Sequence, residues 1–410
     1  MKIQALILNC FLVFVSTFAS LLGVSLVLEL IPSSTNRSLT SDMIERKREL
    51  EVDYPAKIRS AANGFIPLYY PAQTRDHFLG SRYYPVGTLP HARTFYCNEG
   101  YGLISFKSDR FGLRNNDANW DEIRKKGASF FIGDSFTQGA CVDTEFVFTE
   151  LFSKMLNANV LNLGTGDNGP YEYIAILKNV VKPIISSHLG KEFSVILVFY
   201  DNDNIKFNKT FDRHLSTSRP IAEVNPSGFV NVSNKYISIL SKTITRHYPI
   251  NSQDIVEKLE STQKLESTQK LESTQEFVAK FKGSFAYRVL TLYPLRSRIK
   301  KLINTEKSPL SSRPSIQAIS ELHAICNSET SCTPYVVYIP NSNYWRPNDR
   351  SNEYRLLLEE TSRGLSIEFL DSSSAINPNK KSNYAPFGPH LSQAGNRKLA
   401  SFIASKVDQK

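Results

Sequence analysis

The run Ala128-Ser129-Phe130-Phe131-Ile132 ends on a corner, Gly133-Asp134-Ser135, and a helical pattern follows from Thr144 to Met155. Five small, branched or aromatic residues of this kind read as a short strand buried on both faces. A serine at a strand-to-helix corner stands at the carboxyl end of a sheet, where open α/β folds carry their chemistry. Its hydroxyl then faces solvent, and neighbouring backbone N–H groups point at any negative charge placed there. The plainer role for such a serine is to cap the next helix. The rest of the chain decides between nucleophile and cap.

From Gly127 onward, strand and helix patterns alternate. Strands are predicted at 129–132, 160–163, 194–200, 334–339 and 366–370, and helices at 144–156, 171–181, 315–326, 353–363 and 392–407. Such alternation implies a parallel sheet with helices on both faces. The uninterrupted apolar character of the third and fourth strands suits burial on both sides. One interruption, from about 206 to 314, is too long for a loop and reads as an insertion. It holds a triplicate, Lys258-Leu259-Glu260-Ser261-Thr262-Gln263 repeated from Lys264 and Lys270. At ~100° per helical residue, a period of six sends Leu259, Leu265 and Leu271 in three different directions. The repeat therefore builds no apolar face and is expected to be a tolerated expansion.

Ahead of residue 127 the text differs. From Ala5 to Leu28 no residue is charged, and at ~1.5 Å per residue such a helix covers the ~30 Å of a bilayer core. We expect a single uncleaved anchor over residues 1–31, with the bulk of the chain outside the cytoplasm. A spacer and a small β-rich cover are expected over 32–126, and the main domain over 127–410. The net charge of +10 is concentrated. Between Phe277 and Lys307 eight basic residues face a single acid, Glu306, so the excess is local and does not mark a nucleic-acid-binding protein. Cys326 and Cys332, six apart, are positioned for a disulfide, and no cysteine spacing matches a zinc site.

Three more stretches fall at predicted strand ends: Asn162-Leu163-Gly164-Thr165-Gly166-Asp167-Asn168-Gly169-Pro170, then Tyr200-Asp201-Asn202-Asp203-Asn204, then Pro389-His390-Leu391-Ser392-Gln393-Ala394-Gly395. A glycine-rich loop lets backbone N–H groups approach a developing oxyanion, and an asparagine amide adds a donor. A histidine can take a serine's proton and return it to a leaving group. In that order, Gly-Asp-Ser-Phe, Asn-x-Gly, Asn-Asp and His-Leu-Ser-x-x-Gly resemble the blocks of the SGNH (GDSL-type) hydrolase superfamily, over 129–207 and 334–407. Cys97-Asn98-Glu99-Gly100-Tyr101, Lys107-Ser108-Asp109 and Gly139-Ala140-Cys141-Val142 are similar to text in its membrane-anchored bacterial members.

The resemblance implies a flavodoxin-like three-layer α/β sandwich with a five-stranded parallel sheet. It implies Ser135 as nucleophile and His390 as general base and acid, with no cofactor and no metal. The oxyanion hole would comprise the Ser135 N–H, an N–H at Gly166 or Asp167, and the Asn202 amide; Asp134 would hold the corner. Two departures stand out. The superfamily's acid lies two or three residues before the histidine, where this chain has Gly388 and Phe387, so Asp371 is the candidate orienting acid. Asp167 stands where relatives have glycine, and Asn204 is an alternative to Asn202. These residues lead to an esterase or acyltransferase acting on an acyl ester of an envelope glycan or lipid, or else to a binding protein that kept the fold and lost the acid. No phosphate-loop lysine motif suggests a nucleotide enzyme.

Overall fold

The computed structural model describes residues 15–24, 65–67, 86–88, 90–188, 190–204, 222–224, 230–232, 292, 313–328, 331–345 and 350–407. The expected spacer, hexapeptide repeat and basic stretch lie outside these residues, apart from 292. Of the expected anchor, residues 15–24 are described; they form a helix with Val15, Phe18, Leu21 and Val24 exposed. Among the described residues no helix is long and apolar enough to cross a membrane. That helix belongs to one compact unit of the chain, and every element below belongs to a second.

Five strands form the central sheet: β4 (Ala128–Ile132), β5 (Val160–Asn162), β6 (Phe193–Tyr200), β9 (Cys332–Ile339) and β10 (Glu368–Asp371). All pair in parallel, in the spatial order β10-β9-β6-β4-β5. Counted along the chain this is 2-1-3-4-5, the flavodoxin-like order, with its switch point between β4 and β6. Each strand lies within two residues of its predicted span at either end, because a β-branched and aromatic run bounded by loop residues can be satisfied only by a strand buried on both faces.

Alternation sorts the strand side chains onto the two faces. Phe130, Ile132, Val195, Leu197, Phe199, Val336 and Tyr338 point into one core. There they meet α1 (Asn119–Lys126), α4 (Pro170–Ile176), α6 (Arg313–Asn327) and α7 (Ser351–Gly364). Phe131, Ile196, Val198, Tyr200, Tyr335, Val337 and Ile339 point into the other, against α3 (Phe148–Leu156) and α8 (Gln393–Val407). α3 lacks a cap of its own; its Phe148 N–H donates to Asn396 Oδ1 on α8 at 3.1 Å. A short helix, α2 (Ser135–Gln138), follows β4, and α5 (Lys182–Ser187) continues from α4 through a π turn.

A small sheet of β1 (Phe65–Pro67), β2 (Arg93–Phe95) and β3 (Ser105–Lys107) corresponds to the expected cover. β2 and β3 pair antiparallel, with Arg93 opposite Lys107. β7 (Ala222–Val224) and β8 (Val230–Val232) form a separate antiparallel pair within the insertion.

Buried polar groups fasten the cover to the main sheet. Arg114, 3% exposed, donates to Gly139 O at 2.7 Å, Val142 O at 2.8 Å and Thr144 Oγ1 at 3.0 Å. It thereby holds the loop that follows α2. Asp109 accepts from Phe111 N, Leu113 N, Asn115 Nδ2 and Trp120 Nε1, at 2.8 to 2.9 Å. Burial pushes its carboxyl up to about 6, with the four donors pulling the other way. Asp109→Ala orphans all four donors, and at ~1–3 kcal/mol per unsatisfied buried group it should destabilise the domain by at least about 3 kcal/mol. Asp109→Asn keeps one acceptor oxygen and should cost less. Denaturant midpoints of the two variants check the order.

Candidate active site

The corner after β4 is built by glycine. A Cβ at Gly133 would lie 2.1 Å from Thr137 Oγ1 and 2.9 Å from Val198 O, so only a bare Cα lets the chain turn between β6 and α2. Asp134, 1% exposed, caps α2 by accepting from Phe136 N at 2.9 Å. The capping role is therefore filled by Asp134, and Ser135, partly exposed, is the first helical residue. α2 stops after one turn at Gly139, which takes φ 78°.

His390 lies 255 positions away in sequence and beside the serine in space. Its Nε2 is 3.0 Å from Ser135 Oγ. The imidazole rests against the Phe136 ring, centroids 4.9 Å apart, and Phe136 in turn stacks on Tyr200 at 3.7 Å. The loop carrying it is pinned where Ala385 N donates to His390 O at 2.7 Å.

The other ring nitrogen meets a residue that motif reading did not select. Glu99, in the turn after β2, places Oε1 2.8 Å from His390 Nδ1, and its Oε2 accepts from His390 N at 3.2 Å. Phe387 N donates to Glu99 O at 3.0 Å, which fixes the backbone as well. Asp371 is not the orienting acid: its Oδ2 pairs with Arg355 at 3.3 Å and its Oδ1 caps Ser373 N at 2.9 Å. It ends an edge strand, β10, whereas the site is at the switch point in mid-sheet.

Gly388 shows why the carboxylate can sit there. A Cβ at Gly388 would lie 1.7 Å from Glu99 Cδ. The carboxylate of Glu99 occupies the space that a side chain two places before the histidine would fill. Cys97, two residues upstream, is disulfide-bonded to Cys141, and the second disulfide joins Cys326 to Cys332 as the spacing suggests. Tyr96, Ile104, Phe106, Ala140 and Cys141 form the apolar cluster beneath this turn. Ligand atoms of Glu99, Cys141 and His390 come within 4.8 Å of one another, but Cys141 offers no thiolate while bonded to Cys97. Tyr101 stands beside Ser392 and Gln393, its phenol pushed up chiefly by burial.

The loop after β5 supplies the opposite wall. Asn162 Oδ1 accepts from Gly164 N at 2.9 Å, and its Nδ2 donates to Thr137 O at 2.7 Å, which ties the loop to α2. A Cβ at Gly164 would lie 2.5 Å from Gln138 N, so glycine is needed for that approach. Residues 165–168 close a turn, with Asn168 N donating to Thr165 O at 3.2 Å and Asp167 at φ 62°. Asp tolerates this left-handed region better than most residues. Its side chain is exposed to solvent.

Gly166 is corrected as an oxyanion donor. Its N–H donates to Gln138 Oε1 at 2.9 Å and so is not open to a ligand. Among the described residues the N–H groups of Ser135 and Asp167 have no acceptor. Asn202 lies in the turn at the end of β6, the strand beside β4, with its carboxamide oxygen buried and without a partner. Asn204 ends the same turn.

No family model matches the sequence, and no curated protein does either. Solved structures similar to the chain include one described as a lipolytic protein of the G-D-S-L family from Desulfitobacterium hafniense DCB-2, at 12% identity over 68% of this chain and 98% of that one, TM-score 0.33. An aryl esterase from M. smegmatis matches at 12% over 69% and 98%, TM-score 0.32. Est24, a carbohydrate acetylesterase from Sinorhizobium meliloti, matches at 12% over 70% and 99%, TM-score 0.33. Strand order and register, not these weak superpositions, define the fold as flavodoxin-like α/β.

A hydroxyl, an imidazole and a carboxylate in hydrogen-bonded series can raise the nucleophilicity of the serine. Glu99→Ala should slow labelling of Ser135 by a fluorophosphonate by ~10²–10⁴-fold, as expected when an orienting acid is lost. Gly388→Ala displaces the same carboxylate and should reproduce most of that loss with Glu99 still present. Gel-based labelling time courses compare the two.

Proposed function

We propose that this chain is an SGNH-type serine esterase in which Ser135, His390 and Glu99 act as nucleophile, general base and acid, and orienting carboxylate. The observation that carries the reading is the unbroken contact series Ser135 Oγ, His390 Nε2, His390 Nδ1, Glu99 Oε1, with gaps of 3.0 and 2.8 Å. Ser135 Oγ attacks the acyl carbonyl as its proton passes to His390 Nε2. The tetrahedral oxyanion is held by the N–H groups of Ser135 and Asp167, with the Asn202 amide as third donor. Collapse expels the alcohol, which leaves with the proton from His390, and an acyl-serine remains. Water, or a sugar hydroxyl in the transferase variant, then attacks that ester with His390 again taking a proton, and Ser135 is regenerated.

The substrate we propose is an acyl ester of an envelope glycan or lipid, met by a chain anchored through its N-terminal apolar segment with the main domain outside the cytoplasm. The uncharged run from Ala5 to Leu28 supports the anchoring, and two disulfides support an oxidising compartment. The competing reading, a binding protein without catalysis, rests on two residues: Phe387, where an acid is expected, and Asp167 in the glycine loop. Glu99 beside His390 Nδ1 weighs against the first of these.

On a panel of short acyl esters, Ser135→Ala and His390→Ala should each lower kcat/KM by at least ~10³-fold. Wild-type protein without turnover on any ester, but with tight glycan binding, favours the binding protein instead.

A further inference from the structure

We infer that Gln138 is a positioning residue of the oxyanion hole, held in place by Tyr96. The inference rests on the esterase reading above and concerns its second half, the stabilisation of the oxyanion rather than the activation of the serine.

Gln138 is the last residue of α2, three places after Ser135, and is 1% exposed. Its Oε1 accepts from Gly166 N at 2.9 Å and from the Tyr96 phenol at 2.7 Å. An amide oxygen has two lone pairs, so both are used. Gly166 directly precedes Asp167, the loop residue whose N–H stays open. The bond therefore fixes the spacing between the two backbone donors of the hole, because Ser135 N–H and the Gly166 clamp belong to one rigid helical turn.

A clamp is needed here more than in a loop carrying glycine. Residues 165–168 form a turn whose third position, Asp167, takes φ 62°. A turn with a positive φ at that position prefers glycine, and an L side chain strains it. Held only by its own Asn168–Thr165 bond, the loop could relax toward a turn with Asp167 at negative φ, and the central peptide that carries the Asp167 N–H would swing away. Gln138 and the Thr165 N to Gly133 O bond at 3.2 Å tie the loop's leading edge to the corner on either side of Ser135. Tyr96 also lies three residues before Glu99. One segment of the cover thus orients the base directly and the oxyanion donor through Gln138.

The experiment compares full-length wild type, Ser135→Ala, Gln138→Met and Tyr96→Phe, each purified in detergent. p-Nitrophenyl acetate hydrolysis gives kcat and KM, and inhibition by an alkyl boronic acid reports affinity for a tetrahedral adduct. Gln138→Met keeps side-chain length and removes the acceptor. We expect its kcat and its boronate affinity to fall together by about 10–100-fold, with KM within about threefold. Tyr96→Phe should show the same pattern at about 3–10-fold, and the double variant should be no worse than Gln138→Met if the phenol reaches the hole through Gln138. A Gln138→Met chain with kcat within twofold of wild type, or with a loss in KM alone, overturns the inference. Should Gln138→Met not fold, Tyr96→Phe decides, and wild-type kcat and boronate affinity in that variant overturn it. Equal hydrolysis by wild type and Ser135→Ala would instead sink the esterase reading, and the inference with it.

Discussion

The contact between Glu99 and His390 spans 291 positions and makes the rest of the site intelligible. An imidazole beside a serine is a weak base unless its far nitrogen is held by an acceptor that fixes its tautomer. In this chain that acceptor arrives from a separate sheet, through a gap that exists because residue 388 has no side chain. Glu99 also accepts from the His390 backbone, so one carboxylate sets both the ring and the loop that bears it. The cover is therefore part of the candidate site and not an accessory to it.

Holding a charged group at the end of an irregular segment requires support, and the cover is fastened at several independent points. The Cys97–Cys141 disulfide joins the Glu99 turn to the loop behind Ser135. Arg114 fixes that same loop from below through three acceptors, with its guanidinium over the Phe106 ring at 5.0 Å. Gly100, at φ 110°, lets the turn pass close to Pro386, whose Cβ would be 2.8 Å from an added side chain. Each of these contacts links the segment from 97 to 114 with a loop at the carboxyl ends of the central strands. Together they make the position of Glu99 a property of the whole domain.

The sheet order explains why the other residues converge. At the switch point the connections of β4 and β6 leave in opposite directions, which opens a crevice above the strand ends. Ser135 follows β4, the Asn202 turn follows β6, and the glycine loop follows β5 on the other side. The register of β4 with β6, Ile132 opposite Leu197, brings the serine corner alongside the end of its neighbour.

Local sequence determined the strands, the corner, the serine and the helices from residue 144 onward, because each follows from residues close together in the chain; α1 (Asn119–Lys126) instead stands where the pattern gave only a β-rich cover. A buried strand must be apolar throughout, a sharp corner needs Gly133, and a one-turn helix needs a cap at Asp134. The order of the motifs likewise pointed to His390 as the serine's partner. The acid could not be read this way. Glu99 sits in an irregular turn without periodicity, and Asp371 looked better placed because it ends a strand; the ion pair with Arg355 occupies it. The diversion of the Gly166 N–H to Gln138 was equally out of reach, since a backbone donor has no identity in sequence. Which carboxylate meets the imidazole, and which N–H stays open, depended on distances between segments remote in the chain, and only the folded packing of cover on sheet sets those distances.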